Sequence, residues 1–128
     1  VGLRFKSARG RGGLVKDIWC DDIYMKDIVT YGVIFNLYYA GVAATDMDPD
    51  AKSDLQPVDE TTPEFRDIHV SDILCAGADQ AVFINGLPEL PVRNIDFRNS
   101  NFTAKKGEEV HFAENITFDN VTINGKRL

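Results

Sequence analysis

Hydrophobic and polar residues alternate along most of this chain, and the alternation recurs in blocks. Four segments share one arrangement: Asp17-Ile18-Trp19-Cys20-Asp21-Asp22-Ile23, Asp67-Ile68-His69-Val70-Ser71-Asp72-Ile73, Asn94-Ile95-Asp96-Phe97-Arg98-Asn99-Ser100 and Asn115-Ile116-Thr117-Phe118-Asp119-Asn120-Val121. In each, Asp or Asn precedes Ile, an apolar residue follows two places on, and Asp or Asn follows four places after the Ile. Alternation then resumes, as in Ile23-Tyr24-Met25 and Val121-Thr122-Ile123. A shorter apolar family precedes each block: Gly2-Leu3-Arg4-Phe5, Gly32-Val33-Ile34-Phe35, Ala81-Val82-Phe83-Ile84 and Glu109-Val110-His111-Phe112. A period of two, rich in β-branched and aromatic residues, predicts strands. No helical stripe of useful length interrupts it.

The repeated Ile residues are 50, 27 and 21 residues apart. The last two spacings suit one rung of a solenoid, roughly 20 to 45 residues, and an insertion lengthens the first. The prediction is an all-β chain folded as a right-handed parallel β-helix (a solenoid) of about four coils, with Ile18, Ile68, Ile95 and Ile116 in one interior column. The second Asp or Asn of each block falls at a corner. Asn tolerates the left-handed conformation and bonds neighbouring backbone, so Asp22, Asp72, Asn99 and Asn120 are expected to form a ladder. Residues 1–128 are expected to be part of a single β-helix domain, with a long loop at about 40–63 that carries Pro49, Pro57 and Pro63 and no period. The chain opens on a strand pattern without an initiator Met, which suggests a piece of a longer protein whose start is missing.

Charge adds a second feature. The net charge is −6, yet residues 1–16 hold Arg4, Lys6, Arg9, Arg11 and Lys16 and no acid. Their charge is +5, so the remainder carries −11. In the strand Val1–Ser7, Leu3 and Phe5 point one way and Arg4 and Lys6 the other, about 6.6 Å apart along the strand. Two fixed cations at that spacing suit a polymer with repeating negative charge. No nucleic-acid or membrane partner is expected, and no apolar run approaches the roughly 20 residues of a spanning helix. No cofactor is expected either: Gly10-Arg11-Gly12-Gly13 has no helix behind it to cradle a phosphate. Asp46, Asp48, Asp50 and Asp54 resemble a calcium loop, but Ala51 stands where Gly is needed and Pro57 where Glu closes the site. Cys20 and Cys75 fall at apolar positions and read as small core residues with free thiols. His69 and His111 lie in different blocks and read as surface or structural residues. Asp21-Asp22 is an adjacent acid pair, with Asp22 at a corner.

At Arg4-Phe5-Lys6 the chain resembles the C-terminal portion of glycoside hydrolase family 28, the polygalacturonases of the pectin-lyase-like fold. The Arg-x-Lys strand is followed by a Gly-rich loop, by Val15-Lys16-Asp17-Ile18, by Tyr31-Gly32-Val33 and by Tyr39, 35 residues after Arg4. The loop Arg9-Gly10-Arg11-Gly12-Gly13 looks most like bacterial members. The resemblance implies that Arg4 and Lys6 bind carboxylates of galacturonate units and that Tyr39 contacts the same sugar. It implies inverting hydrolysis of α-1,4-galacturonan by aspartates in motifs upstream of the Arg-x-Lys strand. Those upstream motifs are not in this sequence, so the chain is expected to carry substrate-binding residues and no catalytic residue, and to be inactive alone. The family also implies a secreted or periplasmic protein whose partner is pectin. Isolated, the chain is expected to self-associate through its open N-terminal coil. The competing expectation is a non-catalytic β-helix module that binds an acidic polysaccharide or a protein.

Overall fold

The computed structural model describes residues 1–38 and 55–128. Among them are ten strands and no helix: β1 Leu3–Lys6, β2 Leu14–Val15, β3 Ile18–Lys26, β4 Tyr31–Asn36, β5 Glu64–Ala76, β6 Gln80–Asn85, β7 Val92–Thr103, β8 Lys106–His111, β9 Ala113–Ile123 and β10 Lys126–Arg127. The short strands β1, β4, β6 and β8 form one parallel sheet in that order. The long strands β3, β5, β7 and β9 pair in parallel as well, with β2 beside β5 and β10 antiparallel on β9. Among the described residues no antiparallel hairpin links the four long strands. Strands adjacent in space are far apart in sequence, which is why the alternation recurs at the length of a whole repeat.

The register places Ile18, Ile68, Ile95 and Ile116 side by side across β3, β5, β7 and β9. Ile68 and Ile95, in the middle, are fully buried, while Ile18 and Ile116 at the two ends pack against the core only partly. Phe97 stacks on Phe118 (5.0 Å between ring centres) and Phe5 on Phe35 (4.4 Å), in the same interior. Cys75 is buried beside Met25 and Cys20 half-buried beside Val70; both are free thiols.

The long strands bend where the polar residues of the repeat fall. Asp22, Asp72, Asn99 and Asn120 have φ of 58°, 55°, 48° and 55°. The residues before the repeated Ile form a second such row, Asp17, Asp67, Asn94 and Asn115, at 52° to 56°. Asp and Asn enter the left-handed region at lower cost than other side chains. Their side chains also stack: the Asn120 amide donates to Asn99 Oδ1 (2.9 Å), Asn115 to Asn94 (2.8 Å) and Asn94 to Asp67 (3.0 Å). A carboxylate can only accept, so an amide–amide ladder needs Asn. Asn99→Ala is expected to lose about 1–2 kcal/mol in urea unfolding, because alanine pays the left-handed penalty and drops the amide contact. Asn99→Gly is expected to lose less, since glycine adopts that φ freely. Equal losses for the two would show that backbone conformation is not what selects Asn there.

One alignment differs from the sequence pattern. The register pairs Glu108 with Val82 and Val110 with Ile84, so the β8 member of the short family starts two residues earlier than its apolar residues suggest. An even slip leaves every side chain on its expected face, and β8 is an edge strand under weak apolar constraint.

Candidate functional site

β1 lies at the edge of the four-stranded sheet among the described residues. Its Leu3 and Phe5 turn into the core, so Arg4 and Lys6 face outward and are exposed. Along the sheet, Arg4 shares a row with Ile34, Phe83 and Glu109, and Lys6 with Asn36, Asn85 and His111. The Lys6 row is polar throughout. The carboxylate in Arg4's row, Glu109, is three strands away, roughly 14 Å at about 4.8 Å per strand, and lies 2.9 Å from His111 Nε2. Arg4 has no ion-pair partner among the described residues. Tyr39 lies outside the described residues. The segment ahead of it stays beside the end of β1: Ser7 N donates to Asn36 O (3.2 Å), and Ala8 forms an antiparallel bridge with Tyr38.

The Gly-rich loop has a structural use. Gly10 N and Gly12 N both donate to Thr61 O, at 3.0 and 2.8 Å. Gly12 has φ of 62°, and a Cβ there would stand 2.2 Å from Glu60 O. The loop therefore docks the end of the insertion, where Asp59 and Thr61 form a side-chain-bonded turn, so residues 59–62 are not structureless. Arg9 is not presented to an anionic partner, contrary to its place in the basic N-terminal run. Its guanidinium forms a two-pronged pair with Glu89, at 2.7 Å on each oxygen, and the Glu89 side chain is only 2% exposed. Nothing in the aperiodic sequence Leu87-Pro88-Glu89-Leu90-Pro91 marks Glu89 as that partner. Lys16 reaches Asp17 at 3.9 Å. Arg9 and Lys16 thus both meet carboxylates, while Arg4, Lys6 and Arg11 are exposed residues at this end. The four aspartates resembling a calcium loop lie outside the described residues, and no group of three or more potential metal ligands occurs among those described.

No protein-family model and no curated protein matches this sequence. Among solved structures, the chain is similar to a hyperthermoactive exopolygalacturonase from Thermotoga maritima, with a TM-score of 0.79 and 24% identity over 98% of this chain. The chain has the pectin-lyase-like fold. It spans 25% of the length of that protein.

Within this fold, both histidines lie on outer faces against carboxylates. His69 Nδ1 contacts Asp96 Oδ1, and its ring stacks on the exposed Trp19 at 5.2 Å. Asp96 also takes Arg98, at 3.2 Å. A denser ionic group joins β5 to β7. Glu64 accepts hydrogen bonds from Arg93 (2.8 Å) and Arg66 (3.3 Å), and Asp67 accepts from Asn94 and Arg66. The Arg93 hydrogen bond holds the Glu64 carboxyl below its ordinary value; the Asn94 amide, and then Arg66, do the same for Asp67. A carboxylate held low when folded contributes stability above its unfolded pKa, about 4.3 for Glu and 3.9 for Asp. That stability is lost as pH falls through the folded value. The melting temperature is expected to fall as pH drops below about 4.5, and Glu64→Gln to shallow the fall. A Gln variant whose melting temperature drops as steeply as the parent's would remove Glu64 as a cause.

Proposed function

We propose that this chain is the C-terminal part of a polygalacturonase-like glycoside hydrolase, and that it supplies substrate-binding side chains and no acid or base. On this reading the fold is a right-handed parallel β-helix of about four coils, and further coils pack on the edge formed by β1 and β3. The observation that carries the proposal is the pair of outward cations, Arg4 and Lys6, on one strand of a pectin-lyase-like fold. A galacturonate carboxylate would take two parallel N–H donors from Arg4, while Lys6 would act as a point charge beside it. Tyr39 would pack on or hydrogen-bond the same sugar. The acid and base of an inverting mechanism stand roughly 6.5–9.5 Å apart with a water between them; in this proposal they come from preceding coils. A pectic substrate would place the protein outside the cytoplasm, as a secreted or periplasmic enzyme of bacterial type.

The test uses the 128-residue chain. NMR titration with trigalacturonate is expected to give saturable shifts at β1, and maltotriose none. Incubation with polygalacturonate is expected to release no reducing ends above a buffer control. Hydrolysis surviving repurification would overturn the division between binding and catalysis. Absence of any uronate binding would favour a module for another partner. The isolated chain is also expected to self-associate. Val1 just before β1, Leu14 in β2, and Trp19 and Tyr24 in β3 are exposed, and the outer edges of β1 and β3 have no strand to pair with among the described residues.

A further inference from the structure

We infer that Glu89 is a positioning residue for the Arg4–Lys6 strand, acting through Arg9 from two repeats away. β1 is short and, among the described residues, pairs on one side only, with β4. Four residues paired along a single edge are prone to fray. Its leading end is held by Gly2 N to Tyr31 O at 3.0 Å, and its middle by the Phe5–Phe35 stack. Beyond its trailing end, Arg9 crosses the end of β4 to Glu89, 80 residues away in the segment between β6 and β7.

That anchor is rigid. Glu89 stands between Pro88 and Pro91, and the neighbouring Leu87 is fully buried in the core. Both carboxylate oxygens take a guanidinium donor at 2.7 Å, with the Glu89 side chain 2% and the Arg9 side chain 28% exposed. On its way Arg9 lies over the Tyr38 ring, 5.3 Å from its centre, and Tyr38 is bridged to Ala8. The chain just after Lys6 is thus pinned to β4's trailing segment and to the third repeat together. A two-pronged pair fixes direction as well as distance. Cations held in place before binding lose less freedom when the sugar arrives. A plain fold staple would stabilise the whole molecule; a positioning residue sets the order of β1 in particular.

The inference rests on the galacturonate-binding reading of Arg4 and Lys6, and amide exchange separates the two. Glu89→Gln keeps the shape and removes the charge. Arg9→Ala/Glu89→Ala removes the clamp and leaves no unpaired buried charge. In both, without ligand, exchange at Phe5 and Lys6 amides is expected to speed about tenfold or more, with β6 and β7 amides unchanged. Trigalacturonate affinity is expected to weaken by about tenfold in the same variants. Equal loss of protection in β1, β6 and β7 would make the pair a general staple and overturn the inference, as would unchanged β1 exchange. If β1 loosens selectively but the parent chain binds no uronate, the positioning stands and the binding reading falls. If the parent binds and the loosened variants bind equally well, positioning has no bearing on the ligand and the inference falls.

Discussion

Arg4→Ala and Lys6→Ala are each expected to weaken trigalacturonate binding roughly 10- to 150-fold, with no change for a neutral trisaccharide. On the proposed reading each cation would contribute a charge-assisted hydrogen bond, worth about 1.5–3 kcal/mol, and about 1.4 kcal/mol is a factor of ten. The loss falls on the charged sugar because Leu3 and Phe5, which anchor the strand, are untouched; Arg4 and Lys6 face away from the core. Two controls sharpen the result. Arg4→Lys keeps the charge but not the planar fork, so it is expected to fall between the parent and the alanine variant. Raising salt from 50 to 500 mM is expected to narrow the gap between parent and alanine variants, since an exposed ion pair is screened over about a Debye length. Equal losses for charged and neutral sugars would assign both residues to supporting the strand.

Much of this fold was legible because its constraints are periodic. A row of identical positions in neighbouring strands selects the same residue type, and Ile18, Ile68, Ile95 and Ile116 repeat for that reason. The corner residues were legible because only a few residue types tolerate the left-handed region; the second row, Asp17 to Asn115, carried the same signal in the residue before each Ile. The alternation in Leu3-Arg4-Phe5-Lys6 likewise announced which two side chains leave the core. The edge strand β8 was read two residues out, because polar Lys106, Glu108 and Glu109 give no apolar mark for its start. The docking role of the Gly-rich loop and the pairing of Arg9, counted in the basic N-terminal run, left no mark in the sequence. Their partners, Thr61 and Glu89, lie 80 residues or fewer away in aperiodic segments, and a one-off contact leaves no pattern to find.

Ile95→Ala is expected to lose about 2–5 kcal/mol of stability, and Ile18→Ala no more than about half as much. The two residues share chemistry, strand position and column, and differ in what surrounds them. Ile95 lies between Ile68 and Ile116 and is fully buried, so truncation removes three methylene-sized groups from a packed interior and leaves a cavity. Ile18 has a neighbour in the column on one side only, Ile68, and is already partly open to solvent. Water can fill the space it vacates, so it loses part of the transfer term and little of the cavity term. Ile68→Ala should follow Ile95→Ala, and Ile116→Ala should follow Ile18→Ala. For a chain of this size each kcal/mol lowers the melting temperature by about 3–5 °C. Urea unfolding of the four variants would therefore separate into two pairs. If all four lost the same amount, Ile18 and Ile116 would be as enclosed as the centre, and the edges of the stack would be covered in solution, by self-association of the kind expected for the exposed β1 and β3 edge. Repeating the series at a tenfold lower concentration decides this: the inner pair is expected to hold its value, and an outer pair protected by association to fall.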